Sequence, residues 1–135
     1  ISNNICRSIC GLGLSMNKDM KLDYLYIDDF IILFEKIMER SQFNYLTYNI
    51  CSGKPCFLSE ILKIIACEMN ENKVINIKEH GFKLEYSGDP SRAIKEFGNF
   101  YFHKFNKTIP IMARYFKEKL INDKEFEQNF LKFDK

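Results

Sequence analysis

The sequence has no tryptophan, three prolines and two histidines, and no apolar run near the ~20 residues that a membrane-spanning helix needs. A membrane partner is therefore not expected. It also lacks an excess of one charge: 20 basic and 18 acidic side chains leave a net charge of +2, and the two signs interleave along the chain. No continuous basic stripe results, which argues against a nucleic-acid binder. Zinc-type Cys-x2-Cys pairs are missing too. Cys6, Cys10, Cys51, Cys56 and Cys67 form an odd, irregularly spaced set, and His80 and His103 stand alone. Reduced, mostly buried thiols of a cytoplasmic protein are the expected reading. Within 135 residues, 46% hydrophobic and 28% charged, one domain with one core is expected, and thirteen Phe with seven Tyr make that core aromatic.

The chain is organised around residues 47–69. Thr47 to Cys51 alternate and suit a pleated strand, and Ser52-Gly53-Lys54-Pro55 then breaks it. Leu58, Ile61, Leu62, Ile65 and Met69 recur at helical spacing, with Glu60 and Lys63 on the other side. This predicts a strand, a turn and an amphipathic helix, and elements before and after must complete the layers.

Ile1, Ile5 and Ile9 predict a short N-terminal helix that ends at Gly11. Two strands are expected next, residues 14–17 and 22–27, with Lys18-Asp19 turning the chain between them or interrupting one long strand. Asp28 or Asp29 is expected to cap a helix whose buried stripe is Phe30, Ile31, Phe34, Ile37 and Met38. Residues 74–78 alternate as a short strand that His80-Gly81 breaks. A short helix is expected after Asp89-Pro90, ending at Gly98. Residues 100–105 form an aromatic connector, and Thr108 is expected to cap a last helix from Ile109 to about Ile121. The expected division is residues 1–121 as the folded portion and 122–135 as a charged, Phe-spaced tail, helical or frayed.

Catalytic patterns are weak. Gly11-Leu12-Gly13 lacks a preceding strand, and Met16 stands where a third phosphate-loop glycine would be, so it reads as a turn. Tyr115 and Lys119 stand four apart, a spacing that can lower a tyrosine pKa. Ile111, Met112, Phe116 and Leu120 surround them on what reads as an apolar face, so a packed tyrosine is expected there. The paired Asp28 and Asp29, and each histidine, lack a partner group nearby in sequence.

Three blocks together say more: Tyr24-Leu25-Tyr26-Ile27-Asp28-Asp29-Phe30, Tyr48-Asn49-Ile50-Cys51-Ser52-Gly53-Lys54-Pro55, and Gly88-Asp89-Pro90-Ser91-Arg92-Ala93 continuing to Gly98. In this order and with these gaps, from about Leu14 to about Ile121, the chain resembles the C-terminal half of NAD-dependent nucleotide-sugar epimerases and dehydratases, the extended short-chain dehydrogenases. The resemblance implies a small mixed α/β fold of short strands and amphipathic helices, the C-terminal part of an extended Rossmann-type enzyme without its NAD-binding half. It implies NAD or NADP for the full-length enzyme and none in this chain, where the glycine-rich loop is absent and Tyr115 with Lys119 is read as packing, so that the family's catalytic Tyr-x-x-x-Lys set is expected in the missing half. The chain starts at Ile1, which fits a fragment.

The implied partners are a nucleotide-sugar substrate and the missing N-terminal Rossmann domain, and self-association through an uncovered face is expected. Tyr86 would border the sugar pocket. The family places two arginines on the substrate diphosphate, and here Leu22 and Glu79 fall near those positions, so Lys21 and Lys78 beside them are the candidate phosphate contacts. A lysine supplies a point charge in place of a planar fork. Three readings follow: an enzyme portion inactive alone, a stand-alone small binding or interaction module descended from that family, and a structural domain without a ligand.

Overall fold

Helix α3 (Leu58–Glu68) buries Ile61, Leu62 and Ile65 completely in this computed structural model, which describes residues 1–72 and 74–133. The sequence reason is the stripe of apolar residues three and four apart, which lie one above another on a helix. Two helices cover that stripe, α1 (Ser2–Ile9) through Ile5 and α5 (Phe105–Asn122) through Ile109. Leu14 and Met16 close the cluster.

Strand β1 (Ser15–Met16) carries Met16 into the core and pairs in parallel with β4 (Asn76–Ile77). A second sheet has the order β3-β2-β5, from β2 (Asp19–Leu22), β3 (Cys56–Phe57) and β5 (Phe82–Tyr86). Strand β2 runs antiparallel to β3 and parallel to β5, with Lys21 opposite both Phe57 and Glu85. Buried Asn4 ties α1 to β1 by a reciprocal pair: its amide donates to the Ser15 carbonyl at 2.9 Å and its carbonyl accepts the Ser15 N–H at 2.7 Å. The remaining helices are α2 (Ile27–Met38), α4 (Ser91–Phe97) and α6 (Lys124–Phe133). The last, lying in the expected tail, stacks Phe126 on Phe116 of α5.

A second, smaller cluster joins Leu33 of α2 to Ala93 and Phe97 of α4, with Tyr48 and Ile50 packed against it. Buried Glu96 holds it together. Its carboxylate accepts the Tyr48 hydroxyl at 2.6 Å and the Asn44 N–H at 3.0 Å, and its carbonyl accepts Arg40 Nη2 at 2.5 Å. Burial pushes the Glu96 pKa up, but the bonds from Tyr48 and Asn44 outweigh it and leave the carboxyl below its ordinary value.

Several expectations are corrected. Residues 47–50 form no ladder among the described residues, because a strand exists only by pairing; Tyr48 and Ile50 are instead spent on the Leu33 cluster. The predicted strand 22–27 lies earlier, as β2, since Asp19 does not turn the chain. Its carboxylate accepts the Ser59 N–H at 3.1 Å and so caps α3 from a neighbouring strand. Strand β5 was not anticipated. On α2, Leu33 is buried, whereas Ile31, Phe34 and Met38 of the expected stripe are exposed. Tyr26 occupies the α2 cap position, and Asp28 and Asp29 lie in the first turn. Helix α5 begins a turn early, at Phe105, so Thr108 lies inside it, buried, with its hydroxyl donating to the Phe105 carbonyl. Tyr115 is 58% exposed, so it is not packed; Ile109, Met112 and Phe116 belong to the α5 face that packs. Of the thiols, Cys6 alone is buried, and no disulfide joins any of the five.

Two measurements check these forces. Leu62→Ala should lower unfolding free energy by about 2–5 kcal/mol in urea titration, whereas Met38→Ala, at a position 68% exposed, should stay within about 0.5 kcal/mol in the isolated chain. Asp89, Glu96 and Asp123 all have carboxyl pKa values below their ordinary ones. A group whose folded pKa is depressed stabilises above its unfolded pKa and loses that contribution as pH falls through the folded value. Urea midpoints should therefore be level above the ordinary carboxylate range, about pH 4, and fall below it, with Glu96→Gln flattening part of that slope.

Candidate functional site

Asp23 directly follows β2 and extends its pairing, donating its N–H to the Tyr86 carbonyl at 3.1 Å. Its carboxylate then collects three donors from one turn: Ser52 N–H at 3.0 Å, Ser52 Oγ at 2.5 Å and Gly53 N–H at 2.7 Å. The Ser52 hydroxyl in turn accepts the Lys54 N–H at 3.0 Å. Gly53 has φ of 69°, a conformation that suits glycine, and a Cβ there would come within 3.1 Å of Pro90 Cδ. Gly88 is closer still: a Cβ at that position would meet Cys51 Sγ at 2.6 Å. The end of β2, the Ser-Gly-Lys-Pro turn and the Gly-Asp-Pro block, far apart in sequence, thus meet at one end of the β2–β5 pair.

Chemistry at this junction is constrained by the carboxylate. Burial, and then the charge of Asp23, push the Cys51 thiol pKa up; burial, Glu60 and Asp23 do the same to Cys56. Both thiols are thereby held protonated and are poor nucleophiles. Among the described residues no group of three His, Cys, Asp or Glu is arranged to hold a metal ion.

Of the three expected substrate residues, Lys21 and Tyr86 lie on neighbouring strands but at successive register positions, so their side chains leave opposite faces of the sheet. Tyr86 pairs with Leu22 across the strands and is 72% exposed. Lys21 directs its ammonium to Glu85 at 2.9 Å, with the Phe57 ring 5.7 Å away. Lys78 follows β4 in the other sheet, its N–H donating to the Met16 carbonyl at 3.1 Å, and among the described residues no hydrogen bond or ion pair joins its side chain to Lys21 or Tyr86.

Sequence reasoning missed one pair. Asp29, buried at the start of α2, accepts the His103 N–H at 2.9 Å through one oxygen and holds His103 Nδ1 at 2.5 Å through the other. The rings of Tyr26 and Tyr101 stand edge-on to the imidazole, 6.1 and 5.2 Å from it. The two residues are 74 positions apart, so no spacing rule finds them.

No family model matches the chain, and no curated protein matches it in sequence. Solved structures do resemble it. One is RMD from Pseudomonas aeruginosa complexed with NADPH, with TM-score 0.71 and 16% identity. Another is the Bordetella bronchiseptica enzyme WbmH in complex with NAD+, with TM-score 0.69 and 16% identity. Each match covers 87% of this chain and 40% of the other. The chain therefore has the mixed α/β fold of part of these nicotinamide-bound proteins and spans well under half of their length.

Asp23→Ala should free the Ser52–Lys54 turn. The expected cost is about 1–3 kcal/mol in urea titration, the range for stripping the acceptor from partly buried donors, with faster hydrogen exchange at the Ser52 and Gly53 amides. Unchanged exchange there would show that the turn holds its shape without the carboxylate.

Proposed function

We propose that this chain is the substrate-side portion of an NAD- or NADP-dependent nucleotide-sugar epimerase, dehydratase or reductase, inactive until joined to a Rossmann half that carries the cofactor. The observation that carries this reading is the shared fold: 87% of the chain superposes on 40% of a protein bound to NADPH and of an enzyme bound to NAD+. The C-terminal position within such an enzyme, the division at residue 121 and a cytoplasmic setting belong to the same proposal. No helix among the described residues is long and apolar enough to cross a membrane.

This chain's own residues do not fit a dinucleotide. A pyrophosphate cradle needs a glycine-rich turn leading from a strand into a helix N-terminus. Here Gly11 and Gly13 lie between α1 and β1, so the chain passes from helix to strand and presents no helix N-terminus at that turn. Hydride transfer is therefore assigned to the absent half, and no catalytic group is assigned here. The role left to this chain is binding. Tyr86 borders the sugar, and the Lys21 and Lys78 ammonium groups contact the diphosphate as point charges. Lys21 must then exchange Glu85 for the phosphate, a small cost for an exposed pair.

Two features support a missing partner. Ile27, Ile31, Phe34 and Met38 lie on one face of α2 and are 46% to 68% exposed. Residues 47–50, on the same cluster as Leu33, have no strand beside them among the described residues. One observation favours the alternative, a stand-alone binding module: the central residues of the α1, α3 and α5 core are at most 6% exposed within this chain alone.

Titration calorimetry and sedimentation decide between them. The isolated chain should give no heat with NAD or NADPH and bind UDP-glucose or GDP-mannose weakly. Lys78→Ala should weaken that further, by a factor that shrinks at high salt. It should also self-associate as concentration rises. Micromolar NAD binding, or a monomer at every concentration that binds a nucleotide sugar at full strength, would make the chain a complete module.

A further inference from the structure

A hollow with basic and aromatic walls lies away from the strand pair. A cavity of about 750 Å³ opens between the Ser52–Lys54 turn, Ile64 of α3 and the connector 100–106. Lys54, His103 and Lys104 line it, together with rings such as Tyr24, Phe100 and Tyr101. Among the described residues no carboxylate lines it, in a chain with 18 acidic residues. Among the described residues no carboxylate pairs with Lys54 or Lys104, whereas Lys21, Lys119 and Lys124 are all neutralised by one.

The polar wall is held in place from behind. Asp23 fixes the turn that bears Lys54, and the Lys54 N–H is bound to Ser52 Oγ. Asp29, with its side chain 2% exposed, engages both the backbone N–H and Nδ1 of His103, which leaves Nε2 as the ring nitrogen available to a ligand. Lys104 precedes α5, which has no side-chain cap and no acidic residue in its first turn, so the positive end of that helix dipole adds to the same field.

We propose that this cavity binds a phosphoryl group, through the ammonium groups of Lys54 and Lys104, with the open Nε2 of His103 beside it. The proposal does not rest on the nicotinamide-enzyme reading, and it shares no residue with Lys21, Lys78 and Tyr86. Free polyphosphate and a nucleotide would offer the same group; a nucleotide would in addition lay its base on the aromatic wall.

Imidazole nitrogen NMR on the 15N-histidine-labelled chain tests it, with His80 as an internal reference. Pyrophosphate should shift the His103 Nε2 resonance and leave His80 unmoved. Lys54→Ala should weaken that binding about tenfold, the scale for one charged hydrogen bond, while Lys117→Ala, at an exposed position of α5, leaves it unchanged. Uridine diphosphate binding more tightly than pyrophosphate would identify a nucleotide as the occupant; equal binding would identify the phosphoryl group alone. No His103 shift up to about 10 mM pyrophosphate would overturn the proposal. Equal losses in Lys54→Ala and Lys117→Ala would also overturn it, because they would mark diffuse attraction to a basic surface. His103→Gln, monitored by phosphate NMR line width, must lose binding in parallel.

Discussion

Burial of the α3 stripe is the constraint on which the other elements depend. Ile61, Leu62 and Ile65 are fully buried, and burying such a side chain is worth about 1.5–3 kcal/mol each. To cover them the chain must bring α1 back from the N-terminus and α5 from residues 105–122, so both ends of the sequence are committed to one helix. Asp19 closes the arrangement by capping α3 from β2, which fixes the sheet against the helix. Beyond Asp19 the ladder shifts register, and Lys21 then stands opposite Glu85 and Leu22 opposite Tyr86.

Polar side chains then do the positioning that apolar packing leaves loose. Asp23 satisfies the donors of a turn that would otherwise leave Ser52 and Gly53 without acceptors. Glu96 does the same for the loop at Asn44 and the hydroxyl of Tyr48, and Asp29 for the connector at His103. In each case one carboxylate gathers donors from a segment with no regular structure. A carboxylate suits this because its two oxygens accept several bonds and bonds to a charged acceptor are the stronger kind.

Much of this was legible in the sequence where the signal is local. Helix α3 follows from its periodicity, α1 from isoleucines four apart, and the end of α4 from Gly98, which has φ of 87°. The fold class was legible too, through three blocks that the structure brings together around Asp23. What escaped is non-local. Phe82, Leu84 and Tyr86 alternate, yet the strand they form depends on β2 as its neighbour. Asp19 reads as a turn residue until Ser59 is placed beside it, and Asp29 reads as a cap until His103 is. Periodicity also identifies an apolar face without saying whether anything lies on it, which is why Phe34 and Tyr115 were expected to be buried and are open.

The contrast between α3 and α2 gives that last point its physical content. Both helices carry enough apolar residues to belong to a core, but α3 has helices on its stripe and α2 offers only Leu33 and part of Ile37 to α4. Phe30 and Phe34 stack on each other, 5.9 Å apart, a local arrangement that shields little of either ring. The unpaired residues 47–50 pack on the same Leu33 cluster, so the open helix face and the strand-like segment without a ladder lie in one layer. Helix and strand need different things from a neighbour, apolar contact for one and backbone hydrogen bonds for the other.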